Sequence, residues 1–565
     1  MPGWFLRVKK NVIKNSILPV TSGEMRERGW DYVDVVIVSG DAYVDHPSFG
    51  SAVIGRVLAD KGYRVGIIPQ PVWREPSAVS VFGKPRLFFA VTAGNIDSSL
   101  SMYTAFKKVR NDDPYSPEGA GGMRPRLATL VYCNLIKSVY RDVPVVLGGI
   151  EASMRRLPYY DFWENRVRRS ILLDAKADIL VYGMGELQIA DIAGRIAEGK
   201  GLAGIPGTVE IRETAPCDAL MLPPEEEVLR DPDIFGAYFR DFYLNQGSTM
   251  ALPAAKRFLI HNPPPRYERD DLDRIYGLPY SRRPHPVYGN TVIPAFEMIK
   301  DSITSHRGCV SGCAFCSLGL HQGRRVVGRS RESILEEVDR LGGMDYFRGH
   351  VRDIGGPSAN MYGYECRAEW KCRRDSCVYP DRCGNLVMKN DPWITLLGEA
   401  AGRKGVRHVT VGSGVRYDLL MKASPEILRE LAAHHVSGQL KIAPEHTDPE
   451  VLRTMRKAPL YSLKDFAADF SRAAAAAGRK LYLVPYFMSC HPGCGIAQMR
   501  RMREDILGVF RFLPEQVQAF IPLPMTLSSV MYHTGRDPLS GERVFVERDA
   551  GRRRAQHEVF RKEKG

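Results

Sequence analysis

The chain predicts an α/β protein in two parts, a Rossmann-like, doubly wound N-terminal domain followed by a partial (β/α)6 TIM-like barrel. Three observations carry that prediction. Short apolar runs ending in glycine alternate with amphipathic helical stretches over residues 33–204, as expected of parallel strands buried on both faces. A second series of about six strand-helix units begins near residue 302. A loop bearing Cys309, Cys313 and Cys316 follows the first strand of that second series, at the strand end where barrel active sites are built.

The first domain opens with the run Val-Asp-Val-Val-Ile-Val-Ser at 33–39, which stops at Gly40. A helix is expected over 48–61, closed by Gly62, and then a strand over 63–69. Further strands are expected at 87–91, 143–147 and 179–182. Their following turns, 40–47, 148–151 and 183–186, would line one crevice at the carboxyl ends of a parallel sheet. Residues 205–298 look irregular, with Pro263-Pro264-Pro265 and the basic, proline-bearing run 281–286 marking a linker or wrapping segment. In the barrel, strands are expected at 302–305, 350–354, 408–411, 439–442, 481–486 and 517–520. The layout is a basic N-terminal extension (1–28), the Rossmann-like domain (29–204), the irregular segment (205–298), the barrel (299–530) with a cysteine-rich insertion (355–390), and a basic tail (531–565).

Composition excludes several classes. Of 565 residues, 44% are hydrophobic and 25% charged, which is the balance of a globular protein. No apolar run reaches the ~18–20 residues that cross a bilayer, and the basic start has no apolar core of a secretory signal. The expectation is a soluble, cytoplasmic protein with no membrane partner. Lys plus Arg outnumber Asp plus Glu by 79 to 65, a net +14, compatible with RNA or another anionic partner. Part of that excess is Arg552, Arg553, Arg554, Arg561, Lys562 and Lys564, which reads equally as a solvated tail.

Seven of the eleven cysteines fall within 309–383, in two groups, while Cys133 and Cys217 stand alone and Cys490 and Cys494 lie late in the chain. Short spacings of this kind read as metal ligands in a reducing compartment. Cys309-x3-Cys313-x2-Cys316 offers three thiolates to an iron-sulfur cluster and leaves one iron open. The alternative is a structural zinc completed by His306 or His321. Cys366, Cys372, Cys377 and Cys383 form a possible second metal site. It suits an auxiliary iron-sulfur cluster or zinc, which soft sulfur ligands do not separate, or holds no metal. Arg367, Lys371, Arg373, Arg374 and Arg382 surround this group and would offset thiolate charge or form a solvated basic loop. Cys490 and Cys494 read as radical or ligand candidates, or as inert buried thiols. No catalytic acid, base or nucleophile is singled out.

The run from Arg307 through Cys316, with Phe315 before the third cysteine, resembles the signature of radical S-adenosylmethionine (SAM) enzymes. Other strand ends resemble that superfamily's SAM-contact segments. Gly355 and Gly356 stand where it often has Gly-Gly-Glu, here without the glutamate. Ser413 and Arg416 resemble a segment near the SAM carboxylate, with Arg416 as a bidentate partner. Ala443-Pro444-Glu445-His446 with Leu452 and Met455 resembles its Glu-Ser and Leu-x-x-Met segment, and Tyr486-Phe487-Met488-Ser489-Cys490-His491-Pro492-Gly493 its Gly-x-Pro-Gly turn.

With Gly40-Asp-Ala-Tyr-Val-Asp-His-Pro-Ser-Phe-Gly50, His321-Gln-Gly-Arg324, Asp353-Ile-Gly-Gly-Pro-Ser-Ala-Asn-Met361, Ser413-Gly-Val-Arg-Tyr-Asp418 and Lys441-Ile-Ala-Pro-Glu-His446, the text is similar to the YgiQ-type radical SAM proteins from about residue 29 to residue 564. The resemblance implies a radical SAM core in the barrel, a 4Fe-4S cluster and SAM as cofactors, and reductive cleavage of SAM to a 5′-deoxyadenosyl radical. It also implies an electron donor such as flavodoxin or ferredoxin. The substrate is unknown. The turns at Gly148-Gly149 and Gly183-Met184-Gly185-Glu186 resemble those of the cobalamin-binding domain that precedes many such cores. The cobalt-ligating Asp-x-His-x-x-Gly is not met, because Asp45 and His46 are adjacent and Gly50 lies four past His46, so the reading expects no cobalamin. Two alternatives stay open: methyl or methylthio transfer to RNA or protein, and a non-catalytic metal-binding RNA adaptor or redox sensor.

Overall fold

The computed structural model describes residues 17–368, 372, 374–420, 425–457 and 459–560. Most of the basic N-terminal extension, Lys371 and Arg373 of the insertion, and Arg561, Lys562 and Lys564 of the tail lie outside the described residues. The chain divides into two compact units. One takes in the described residues up to Tyr159 with Val167–Arg266 and Arg274–Lys300. The other takes in Tyr160–Arg166, Tyr267–Asp273 and the described residues from Asp301 onward.

The first unit is built on a nine-stranded sheet. Its elements are β1 (Val35–Ser39), α1 (Gly50–Asp60), β2 (Val65–Pro69), β3 (Phe88–Thr92), α2 (Ala128–Val139), β4 (Val145–Gly148), α3 (Gly149–Ser153), β5 (Ile179–Val181), α4 (Glu186–Ala197), β6 (Thr208–Arg212), β7 (Leu220–Met221), α5 (Pro232–Leu244), β8 (Met250–Ala254) and β9 (Arg257–His261). All five residues of β1 are buried, as both faces of a parallel sheet require. At the end of α1 the chain turns through Gly62 at φ +88°, whose N–H reaches Ala59 O, the left-handed glycine exit of a helix. The parallel strands stand in the order β2-β1-β3-β4-β5, which is the flavodoxin-like winding with its switch point between β1 and β3.

The segment read as irregular at 205–298 is corrected by the structure. It carries β6 to β9, and β6 pairs antiparallel with β5, β9 with β6, and β8 with β9, extending the sheet. These strands are short and flanked by proline, so their pairing is set by the exposed edge of β5 rather than by a local pattern.

The switch point is filled from within. Gly40 lies so close to β3 that a Cβ there would stand 2.2 Å from Ala93 O. Beside it Arg124 donates to Asp41 (2.9 Å), Ala93 O (2.6 Å) and Asp113 (2.7 Å). Burial pushes the Asp41 carboxyl up to about 6 despite Arg124. Asp45 forms an ion pair with Arg56, Glu151 accepts the N–H groups of Ser98 and Thr129, and the Nδ1 of buried His46 accepts Ser48 N–H ahead of α1. Asp41, Asp45 and Glu151, acidic residues of turns that the sequence placed at the crevice, thus have protein partners.

The second unit is the open barrel. Its elements are β10 (Ser302–Thr304), α6 (Leu318–His321), α7 (Arg331–Gly342), β11 (His350–Val351), β12 (Asp353–Gly355), α8 (Asp391–Ala401), β13 (His408–Val409), α9 (Tyr417–Leu420), β14 (Gln439–Glu445), α10 (Pro449–Thr454), α11 (Leu463–Ala476), β15 (Tyr482–Ser489), α12 (Ile496–Phe510), β16 (Val517–Ala519), α13 (Leu527–Thr534) and α14 (Ala550–Glu558). Parallel pairing runs in chain order: β10 with β12, β11 with β13, Val415 with Ile442 of β14, β14 with β15, and β15 with β16. With β11 and β12 as two parts of one strand, this is the succession of six βα units. Their helices pack one apolar layer around Trp393, Leu396, Ile442 and Phe466. The basic tail is not loose over its described part, for Arg553 is buried and donates to Phe520 O (2.8 Å). Among the described residues no helix is long and apolar enough to cross a membrane.

Burial holds eight histidines below their ordinary value, among them His306 and His446 at about 4 and His491 at about 3. In the unfolded chain these rings charge near pH 6.5, so between pH 6.5 and about 4 the unfolded state binds more protons and stability falls on acidification, by about 1.4 kcal/mol per pH unit at the limit for each of the buried rings of His46, His261, His306, His446 and His491. Asp41, Asp353 and Glu225, whose carboxyls burial pushes up, act in the opposite sense and are outnumbered. The apparent Tm is therefore expected to drop between pH 6.5 and 5, above the range where ordinary carboxylates titrate. A flat Tm across that window would contradict this account.

Candidate functional site

Strand β10 hands the chain to the cysteine loop. Ser305 N–H donates to Gly355 O (2.8 Å), which keeps the strand ends side by side. A Cβ on Gly355 would lie 2.6 Å from Ser413 Oγ, and one on Gly356 2.6 Å from His306 Nε2. Space, not a left-handed backbone, demands glycine at both. His306 and Arg307 then pair antiparallel with Val327 and Gly328, pinching off the loop between them. Gly308 turns at φ +86°, where a side chain would strike Arg325 O at 1.9 Å. Cys309 N–H donates to Gly323 O (3.1 Å) and Cys316 N–H to Cys313 O (3.2 Å).

The three thiols are partly accessible and feel one another. Burial pushes Cys316 up to about 12, with Cys313 and Cys309 adding to the rise. Burial also raises Cys313, while Lys457 and Arg416 pull it down. His306, offered by the sequence as a fourth zinc ligand, shares a hydrogen bond through Nδ1 with Ser305 Oγ (2.9 Å), while its buried Nε2 packs against Gly356 with no hydrogen-bond partner among the described residues.

The other residues singled out in the sequence gather on unit 2 strand ends. Ser413 donates both its N–H (2.9 Å) and its hydroxyl (3.0 Å) to Asp353, which also accepts Gly412 N–H (2.9 Å). Arg416 is gripped from two sides. Nε and Nη2 reach the two oxygens of Asp418 (2.8 and 2.7 Å), and Nη1 donates to Ser311 Oγ inside the cysteine loop (2.6 Å). Its backbone exchanges two hydrogen bonds with the Asn360 amide (2.9 and 3.0 Å). Burial works against ionisation of Asp418, yet Arg416 holds that carboxyl below the usual range. Glu445 sits at φ +68° after a break in the β14 and β15 register, a strained setting that costs about 1–3 kcal/mol. It forms an ion pair with Lys457 (2.9 Å), whose ammonium lies 5.9 Å from the Phe315 ring centre. Phe315 meets His491 edge-on at 6.1 Å.

Cys490 and Cys494 are buried, and burial raises both thiols, Cys494 to about 12. Cys494 Sγ stands 3.6 Å from His446 Nε2. Cys494 lies in an apolar cluster with Met499 and Met502, so the inert reading fits its surroundings.

The second cysteine group lies against the first. Cys366 opens a two-residue antiparallel pairing with Leu386, and Cys383 N–H donates to Cys377 O (2.8 Å). Burial first, then the thiols of Cys366, Cys383 and Cys372, push Cys377 up to about 11, so the four are within reach of one another's charge. Arg374 donates to Ser376 O and Asp381 O. Cys309, Cys377 and Cys383 share one apolar cluster. Among the described residues no three His, Cys, Asp or Glu side chains stand in a ready-made metal-holding arrangement.

Sequence reasoning missed Lys457, Asn360, Asp353 and Asp418 as site residues. The last three stand inside runs already singled out. Lys457, twelve residues past Glu445, gives no signal of its own.

With this geometry in view, comparison with known proteins is direct. The family model described as "Radical SAM N-terminal" matches residues 17–302, and a domain of unknown function matches residues 515–564. The UPF0313 protein of Geobacter sulfurreducens is 47% identical over 561 residues, covering 96% of this chain and 91% of its own. That of Thermotoga maritima is 42% identical over 568 residues, covering 97% and 99%. Among solved structures, the cobalamin-dependent SAM radical enzyme OxsB with aqua-cobalamin and SAM bound aligns with TM-score 0.50 at 12% identity, over 86% of this chain and 53% of that one. This likeness corrects the expectation against cobalamin. OxsB is printed with cobalamin in a chain of similar fold, so the absence of the Asp-x-His-x-x-Gly motif at Asp45, His46 and Gly50 is no ground for excluding the cofactor. By the identity and coverage of its relatives the chain belongs to the UPF0313 family, and it carries the N-terminal domain of the radical SAM proteins.

Proposed function

We propose that this protein is a radical SAM enzyme whose 4Fe-4S cluster is held by Cys309, Cys313 and Cys316. The observation that carries this reading is convergence. Three soft thiols in one glycine-shaped loop share the barrel's strand ends with Arg416, with the Ser413–Asp353 pair and with the Glu445–Lys457 pair. The donor set of three soft thiols suits iron-sulfur chemistry. When bound, such a cluster supplies the electron that splits SAM into methionine and a 5′-deoxyadenosyl radical.

The chain's own residues then have defined tasks. Arg416 keeps one N–H on each terminal nitrogen beyond its bonds to Asp418 and Ser311, enough to fork onto a carboxylate. Ser413, oriented by Asp353, stands beside Gly355. The Gly355-Gly356 turn offers backbone rather than a glutamate to the SAM amino group. Phe315, between Lys457 and His491, screens the cysteine loop from water, which a radical site requires. The reductant is an external donor of the flavodoxin or ferredoxin class, and cobalamin is a second cofactor to be tried.

Anaerobic reconstitution, dithionite and SAM should yield 5′-deoxyadenosine by mass spectrometry, and Ala at Cys309, Cys313 or Cys316 should abolish it. A protein retaining about four irons per chain that releases none would sink the reading in favour of a non-catalytic adaptor or sensor. Added cobalamin should co-elute with the chain and support methylated product if the reaction is methyl or methylthio transfer.

Glu445→Gln removes one charged partner at the barrel mouth without touching a thiol. Affinity for SAM is expected to fall about tenfold or more, the range for a charged hydrogen bond, with iron content unchanged. SAM affinity left unchanged, or lost together with the iron, would assign Glu445 to the fold instead.

A further inference from the structure

Between Cys366 and Leu386 the described residues form no helix or strand. A stretch of that length without regular structure draws its order from something else. Its apolar support is a small cluster shared with the cysteine loop. What it does have is four cysteines at spacings x5, x4 and x5, three of them brought together by backbone. Cys366 pairs with Leu386, Leu386 N–H donates to Cys383 O (3.1 Å), and Cys383 N–H donates to Cys377 O (2.8 Å). Cys372 is the exposed member.

The stretch 375–377 lies along 310–312, the three residues between the first two ligands of the cysteine loop. Cys377 N–H donates to Val310 O (2.9 Å), and Ser376 Oγ donates to Ser311 O (2.6 Å). Gly312 has no room for a Cβ because Asp375 O would stand 2.4 Å from it. From the far side Asp375 is tied to Arg456, and Arg374 braces Ser376 O at 3.0 Å.

We propose that Cys366, Cys372, Cys377 and Cys383 bind a thiolate-ligated metal centre, zinc or a second iron-sulfur cluster, and that this centre holds residues 310–312 in the shape the first three cysteines need. Cys377 joins the two centres, since its thiol is a ligand of the second and its N–H a strut of the first. The four sulfurs do not yet stand in a metal-holding arrangement, and ligation, at about 2.3 Å from zinc, would draw them together and so tighten 375–377 against the loop. Arg367, Arg374 and Arg382 balance the thiolate charge. The first half of the proposal is independent of the enzymatic reading, and the second half rests on it.

The test is elemental analysis of iron, zinc and sulfide on anaerobically purified full-length protein. The triple variant C309A/C313A/C316A should retain about one zinc or about four irons, and the element found separates the two metals. A triple variant devoid of metal overturns the second centre. The variant C377S/C383S should lose that metal and give up first-centre iron to a chelator about 10- to 100-fold more readily, the range for groups that orient ligands. Because that variant could unfold the insertion, S376A provides the control. It touches no thiol and removes one strut, and it should speed iron loss from the first centre while second-centre metal stays. First-centre iron held as in the wild type by both variants overturns the clamp. Failure of the enzymatic reading looks different: wild type carrying both metals yet releasing no 5′-deoxyadenosine.

Discussion

The buried pair of Arg416 and Asp418 is the joint on which the barrel mouth depends. Arg416 reaches Ser311 in the cysteine loop after the first strand, exchanges two bonds with Asn360 after the second, and is itself held by Asp418 at the start of α9. Asp418 also takes the N–H of Leu460 (3.4 Å). One ion pair thus ties loops that follow three different strands. Removing one member of a buried pair costs about 3–5 kcal/mol because the other is left uncompensated, so the pair sets position more than it adds stability. Its placement beside Cys309 and Cys313 also puts a permanent positive charge next to thiols that must ionise to bind metal.

Close approach is the second constraint. Gly308, Gly312, Gly355 and Gly356 all stand where a single added carbon would meet a carbonyl, a ring or, at Gly355, the Ser413 hydroxyl. Left-handed backbone at Glu445 and Cys490 puts strained residues at two strand ends of the same barrel. In the first unit the same economy holds at the switch point, where Gly40 and Arg124 close the gap between β1 and β3. The crevice of that sheet is thereby shaped by an internal ion network rather than by a loop of glycine alone.

Much of the fold was legible. The apolar run at Val35–Ser39 announces itself because a strand buried on both faces needs continuous apolar residues, and the longer barrel strands β14 and β15 by buried apolar positions that alternate with more exposed ones. The strands β6 to β9 did not. Leu220 and Met221 are exposed, Pro253 interrupts β8, and their partner is a sheet edge whose position no local pattern encodes. The tail was equally opaque, since Arg553 reads as solvated until Phe520 O is seen to accept from it. The cobalamin expectation failed for a related reason, in that a motif for one ligand was made to speak for an entire crevice.

What the sequence determined by itself is the chemistry on offer: three thiols at x3 and x2, four more at x5, x4 and x5, and the order of strands that carries them. Ligand spacing is a short-range property, and a metal or cluster reads it directly. Only the tertiary structure decided that the second cysteine group lies along the first, that Lys457 answers Glu445, and that Arg416 holds Ser311. Those contacts join residues 12 to 105 positions apart, and nothing in local spacing determines which distant side chains a fold will bring together.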